Sequence, residues 1–132
     1  MKFQYTKHRK MWDYIAKNLE DHIEEYCDVD PENIFINIKN EDDPEDVLIA
    51  LKEEFLGNEN IINDCYACDY VYKKYKSLTD CDKCPLNIGN CTYINSLYGR
   101  LLKSIKFQDV IGAIKYVAEI RDAKVKEGVE WE

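Results

Sequence analysis

Residues 65–91 read CYACDYVYKKYKSLTDCDKCPLNIGNC and hold five of the six cysteines in the 132-residue chain. Two Cys-x2-Cys pairs are separated by twelve residues, and a fifth cysteine follows after six more. One Cys-x2-Cys pair brings two thiolates together, and two pairs supply the four ligands of a tetrahedral Zn²⁺ site. We therefore predict one structural zinc ion held by four of five cysteines: Cys65, Cys68, Cys81, Cys84 and Cys91.

The two Cys-x2-Cys pairs are the first choice of ligands. Cys91 could replace Cys81 as the fourth ligand, because a short turn at 85–89 brings it back towards Cys84. The sixth cysteine, Cys27, lies near the end of a helical stretch and is expected to be a small core residue.

Other chemistry is open to the same cysteines. They could be buried free thiols, a redox pair or the ligands of an iron–sulfur cluster. A redox Cys-x2-Cys is expected beside a βαβ pattern, which the sequence lacks. A zinc site with four thiolates has no position for water or substrate, so we expect a structural rather than a catalytic metal.

The composition indicates a soluble globular protein. Apolar residues make up 45% of the chain and charged residues 33%, and no apolar run approaches the roughly 20 residues of a membrane span. The basic N-terminus lacks the apolar segment of a secretory signal. We expect a cytoplasmic protein without membrane contact, in a compartment where paired cysteines are more often metal ligands than disulfides.

The net charge of −8 is unevenly distributed. Residues 13–64 carry 17 Asp and Glu against three Lys, whereas residues 65–132 carry nine acidic and eleven basic side chains. The acidic stretch is either a solvated surface or a face that binds a basic partner. Direct nucleic-acid binding is disfavoured, since no compact basic stripe with interleaved aromatic residues stands out.

Apolar periodicity predicts mainly helices. Residues 7–27 and 44–56 have apolar side chains at spacings of three and four, and Pro44 and Gly57 suit the two ends of the second helix. Alternating isoleucines predict one short strand at 33–39, without a visible partner. Further helical stretches are expected at 67–76, 93–104 and 108–126, with order ending near Gly128.

The predicted fold class is mostly α: a small helical domain with an irregular, zinc-binding cysteine-rich insert and one short strand or hairpin. The whole chain, 1–132, is expected to be a single domain. Within it we distinguish an acidic helical half (1–64), the zinc centre (65–91) and the C-terminal helices (92–127).

No catalytic motif is visible. The chain has two histidines and five glycines, and it lacks a phosphate-binding loop, a nucleophile elbow and a His-Glu-x-x-His sequence. We expect no enzyme activity. Tyrosine is abundant, with ten residues, and several crowd after Cys65. These rings either pack over the metal site or form a recognition surface.

Three segments carry a resemblance. KHRKMWDYIAKN at 7–18, NDCYACDY at 63–70 and CDKCPLNIGNC at 81–91 resemble small phage and prophage proteins of Gram-positive bacteria that share a five-cysteine, zinc-type centre. The likeness leaves the acidic stretch at 28–60 largely uncovered. It implies metal binding at the five cysteines and names no activity, but it favours a role between phage and host in the bacterial cytoplasm.

Two functions are compatible with these features. The first is a non-enzymatic interaction protein, a phage-encoded inhibitor of a bacterial defence system that binds a basic protein surface. Its partner-binding residues would be Glu41, Asp42, Asp43, Tyr70 and Tyr72. The alternative is a protein that binds or sequesters a nucleotide with its tyrosines and bases such as Arg100 and Lys103.

Overall fold

The fold is described by a computed structural model that covers residues 1–28, 37–38, 44–77, 83–88 and 96–132. In these residues the chain forms α-helices and one two-stranded antiparallel sheet, which confirms the mostly α fold class. The helices are α1 (Tyr5–Tyr26), α2 (Pro44–Leu56), α3 (Tyr66–Tyr75), α4 (Leu97–Lys106) and α5 (Val110–Arg121), and the strands are β1 (Cys27–Asp28) and β2 (Asn37–Ile38).

Helix α1 lies at the centre of the packing. Its apolar residues recur every three or four positions, which places Met11, Ile15 and Leu19 on one fully buried stripe. This stripe packs against both α5 and α2, and α4 packs against α5 in turn. The N-terminal and C-terminal helices therefore share one hydrophobic core rather than two separate halves.

The ends of the helices follow local sequence signals. Helix α2 begins at Pro44 and is followed by Gly57 at a φ of +58°, as the sequence predicts. The side chain of Ser96 accepts a hydrogen bond from the backbone N–H of Gly99, and Asp109 accepts one from Gly112, each over 3.0 Å. These two caps place the starts of α4 and α5 a few residues later than the periodicity predicted.

The predicted strand at 33–39 has a partner that the sequence did not reveal. Asn37 and Ile38 pair with Asp28 and Cys27, directly after α1. The rest of that predicted strand lies outside the described residues. A two-residue strand after a helix carries no alternating pattern of its own, which explains why its pairing could not be read from the sequence.

The prediction that order ends near Gly128 was wrong. The backbone N–H of Phe3 donates to the carbonyl of Glu130 over 2.9 Å, and the N–H of Glu132 donates to the carbonyl of Phe3 over 3.0 Å. The ring of Trp131 lies edge-on to Tyr5 at 5.0 Å. Helix α5 also ends at Arg121 rather than near 126, because the chain then leaves the helix to form these backbone contacts.

None of the helices in the described part of the chain combines the length and apolarity that a membrane span needs.

Candidate metal centre

The first Cys-x2-Cys pair lies at the start of α3. Cys65 is the residue before the helix and Cys68 is in its first turn. The approach to Cys65 is tight, because Asn63 and Asp64 both have positive φ angles, of 55° and 49°. Asparagine and aspartate tolerate this left-handed conformation better than most residues. The chain thus turns sharply and presents two thiols from one helix end.

A buried carboxylate fixes this turn. Asp69 is 7% exposed, and its Oδ1 atom accepts a hydrogen bond from the backbone N–H of Ile62 over 3.2 Å. Its Oδ2 atom lies 2.8 Å from the ammonium of Lys73. Asp69 therefore ties the residues before Cys65 to the helix after it, and this holds the positions of both cysteines.

The thiols of Cys65 and Cys68 interact directly. A hydrogen bond from Cys68 stabilises the Cys65 thiolate and lowers the pKa of Cys65 to about 6, with a further contribution from the positive charge of Lys52. The same hydrogen bond raises the pKa of Cys68. The pair therefore holds one negative charge easily and resists a second, which is the situation that a divalent cation relieves.

Cys84 comes from a different part of the chain and is buried. The segment 83–88 that carries it is bonded to the residues after α5: the N–H of Asn87 donates to the carbonyl of Lys124 over 2.9 Å, and the N–H of Lys126 donates to that of Pro85 over 2.8 Å. Charge on Cys84 raises the pKa of Cys68, so the two sulfurs are close enough to interact electrostatically.

Cys65, Cys68 and Cys84 belong to two separate segments of the described chain. The described ranges contain no group of three His, Cys, Asp or Glu side chains that already has the spacing of a metal site. Cys81 and Cys91 lie outside the described residues, so the fourth ligand predicted from the sequence does too. Thiolate donors suit zinc or an iron–sulfur cluster rather than calcium or magnesium.

The tyrosines around the centre divide into two groups. Tyr66 and Tyr70 are buried, and the hydroxyl of Tyr66 donates to Glu59 over 3.1 Å. Tyr72 and Tyr75 are exposed, at 38% and 41%. Of the two tyrosines predicted to contact a partner, Tyr72 therefore faces solvent, while Tyr70 belongs to the core.

Lysines surround the exposed tyrosines. The ammonium of Lys83 lies 4.5 Å from the centre of the Tyr75 ring, and that of Lys74 lies 5.5 Å from it. Lys76 lies 6.0 Å from the ring of Tyr72. We call Tyr72, Tyr75, Lys74, Lys76 and Lys83 the tyrosine–lysine surface.

Two buried basic residues of α1 and α2 were not singled out from the sequence as functional. Lys52 is 5% exposed on α2, and His8 is 1% exposed on α1. Their spacing could have indicated this burial. Lys52 follows Leu48 by four residues and His8 precedes Trp12 by four, so each belongs to an apolar stripe. Glu41, Asp42 and Asp43, the predicted acidic contacts, lie outside the described residues.

Comparison of the chain with family models, curated proteins and solved structures gives no match. The resemblance to phage proteins stays a prediction from the sequence motifs.

Proposed function

We propose that this chain is a non-enzymatic interaction protein stabilised by one structural zinc ion. The observation that supports the proposal is the Cys65–Cys68 hydrogen bond at the start of α3, together with the electrostatic effect of buried Cys84 on Cys68. Cys65, Cys68 and Cys84 would hold the ion, with Cys81 or Cys91 as the fourth ligand. Zinc would then join α3 to segment 83–88, which is hydrogen-bonded to the residues after α5.

The partner in this proposal is a protein with a basic surface. Residues 13–64 carry most of the acidic side chains, and those of the described part include exposed Asp46 and Glu53 on α2. Electrostatic complementarity of this kind speeds association and selects partners. Together with the resemblance of its motifs to phage proteins, this favours an inhibitor of a bacterial defence system that acts in the host cytoplasm.

Charge reversal on α2 tests the interaction. The immobilised protein should retain a partner from a lysate of a Gram-positive host, and Asp46→Lys with Glu53→Lys should weaken that binding about tenfold or more by placing like charges together. The control is Glu119→Lys with Glu127→Lys, which makes the same charge change at exposed sites elsewhere. The wild-type protein should also raise phage plaque numbers on a defended host. Partner binding that changes neither with salt nor with the Asp46→Lys and Glu53→Lys substitutions would contradict the proposal.

The alternative function, binding of a nucleotide, is favoured by the tyrosine–lysine surface. Exposed rings can stack on a base while neighbouring ammonium groups contact phosphate. The cations over these rings in the described residues are lysines of α3 and the following segment, rather than Arg100 and Lys103 as the sequence suggested.

Calorimetry with linear and cyclic nucleotides tests this alternative. If a nucleotide binds, Tyr75→Ala should weaken it by roughly tenfold, because stacking of one base on an aromatic ring contributes about 1–3 kcal/mol. Tyr72→Phe, which keeps the ring of the second exposed tyrosine, is the control and should leave nucleotide binding nearly unchanged. Absence of heat with every nucleotide would exclude this function.

A further inference from the structure

The turn between α4 and α5 exposes two large apolar side chains. Phe107 is 65% exposed and Ile111 is 85% exposed. The turn itself is well fixed: the backbone N–H of Asp109 donates to the carbonyl of buried Ser104 over 2.8 Å, and Gln108 adopts a left-handed φ of 55°. Glutamine rarely takes this conformation, and such backbone strain is common where a segment is shaped for binding. Adjacent apolar side chains that an ordered turn holds in solvent are typical of an interaction site.

Basic side chains adjoin these two residues. Lys103 and Lys106 are exposed in the last turn of α4, a helix without any acidic residue. In the described part of the chain, neither lysine takes part in an ion pair. We call Lys103, Lys106, Phe107 and Ile111 the α4–α5 corner. A partner that fits it combines apolar side chains with negative charge.

The outer side of α2 has this complementary character. Asp46, Ile49, Ala50 and Glu53 are spaced by three and four residues, so they share one face of the helix. The two acidic side chains are exposed, and the two apolar ones between them are half-buried. Neither carboxylate forms an ion pair within the described residues. We call these four residues the α2 stripe.

The two surfaces belong to helices that are neighbours in the fold. Helix α2 packs against α4, and the hydroxyl of Tyr98 at the start of α4 donates to Glu45 at the start of α2 over 3.0 Å. A two-fold axis between two copies would bring the α2 stripe of each copy to the α4–α5 corner of the other, in two identical contacts. Surfaces of opposite charge on neighbouring helices are therefore self-complementary.

We propose that the occupant of this surface is a second copy of the chain, in a symmetric dimer that pairs the α2 stripe with the α4–α5 corner. The apolar side chains of the two surfaces cover each other, and the carboxylates meet the ammonium groups. This inference goes beyond the proposed function and does not depend on the metal. Because Asp46 and Glu53 belong to both contacts, a basic host protein competes with the second copy.

Sedimentation equilibrium of the reduced full-length protein tests the dimer. The wild type should form a dimer that increases with protein concentration and weakens with salt, because part of the attraction is between exposed charges. Asp46→Lys with Glu53→Lys, and separately Lys103→Glu with Lys106→Glu, should each raise the dissociation constant of the dimer about tenfold or more, since both place like charges together.

A one-to-one mixture of the two charge-reversed variants gives the sharpest result. In the mixture each altered surface again meets one of opposite charge, so the two variants should form a mixed dimer with an affinity close to that of the wild type. An unfolded variant could not be restored in this way. Glu119→Lys with Glu127→Lys, the same charge change as on α2 but at exposed sites elsewhere, is the control and should dimerise like the wild type.

Three results would overturn the proposal. The first is wild-type protein that stays monomeric up to about 1 mM, the dissociation constant of a very weak contact. The second is a dimer that both charge reversals leave intact. The third is a monomer whose α4–α5 corner binds an acidic host protein or anionic vesicles instead. If a charge-reversed variant does not fold, Phe107→Ala decides, because this exposed side chain is not part of the core. It should weaken the dimer about tenfold through lost apolar burial, and an unchanged dimer would overturn the proposal.

Discussion

Cys68→Ser is expected to remove zinc from the protein and to lower its melting temperature by on the order of 10 °C. Freshly purified, reduced wild-type protein should contain one zinc per chain. Metal that binds only the folded state stabilises it by about 4 kcal/mol when its concentration is a thousand times Kd, and each kcal/mol shifts the melting temperature by a few degrees in a domain of this size. Serine is a poor zinc ligand, so the variant should lose this stabilisation.

Two comparisons make the result specific. Cys27→Ser removes the one cysteine outside 65–91 and should keep both the metal and most of the stability. Chelator should lower the melting temperature of the wild type but leave Cys68→Ser unchanged. Metal analysis by mass spectrometry and a thermal scan at fixed zinc concentration measure both effects. Wild-type protein without bound metal, or with iron and sulfide in its place, would contradict the zinc site.

Acidification from pH 6.5 to pH 4 is expected to lower the free energy of unfolding by up to about 3 kcal/mol through His8 alone. His8 is buried, and burial is the main cause that lowers its pKa to about 4, while the charges of Arg9 and Lys52 act in the same direction. Its Nε2–H donates to the carbonyl of Ile120 over 2.9 Å, and Nδ1 has no hydrogen-bond partner in the described structure. A proton on Nδ1 would therefore be buried without an acceptor.

The direction of this effect follows from proton linkage. Above pH 6.5 the histidine is neutral in both the folded and the unfolded chain and does not change stability with pH. Between pH 6.5 and pH 4 only the unfolded chain gains the proton, so stability falls, and the loss is complete near the folded pKa.

Chemical denaturation at several pH values measures this contribution. His8→Gln can still donate to Ile120 but does not titrate, so its stability should fall less between pH 6.5 and 4. Both proteins keep the same cysteines, and the pH dependence of metal binding cancels in the difference. His22→Gln, which alters the second histidine, is the control and should follow the wild type. An equal fall in the free energy of unfolding of the wild type and His8→Gln between pH 6.5 and pH 4 would contradict the prediction.

The parts of the fold that follow local rules could be predicted. Helix α2 has proline at its start and glycine after its end, and α1 has a regular apolar stripe, so short-range sequence signals define both. The first Cys-x2-Cys was equally visible, because both of its members lie within one helical turn.

The remaining features depend on contacts between distant residues. Phe3 bonds to Glu130 and Asn87 bonds to Lys124 through backbone atoms, so these contacts cannot be predicted from the pattern of side chains. The burial of Lys52 and His8 was missed for a different reason: both residue types are normally exposed or half-exposed, although their spacing places each on an apolar stripe.

The bonds between 83–88 and the residues after α5 set the order of events during synthesis. The segment with Cys84 cannot form its hydrogen bonds with Lys124 and Lys126 until the ribosome has added about 40 further residues, which takes about 2–8 seconds at about 5–20 residues per second. The segment with Cys84 therefore lacks these backbone contacts during this interval. The packing around Cys84 is a late product of folding, completed only when residues 124–132 have bonded to segment 83–88 and to Phe3.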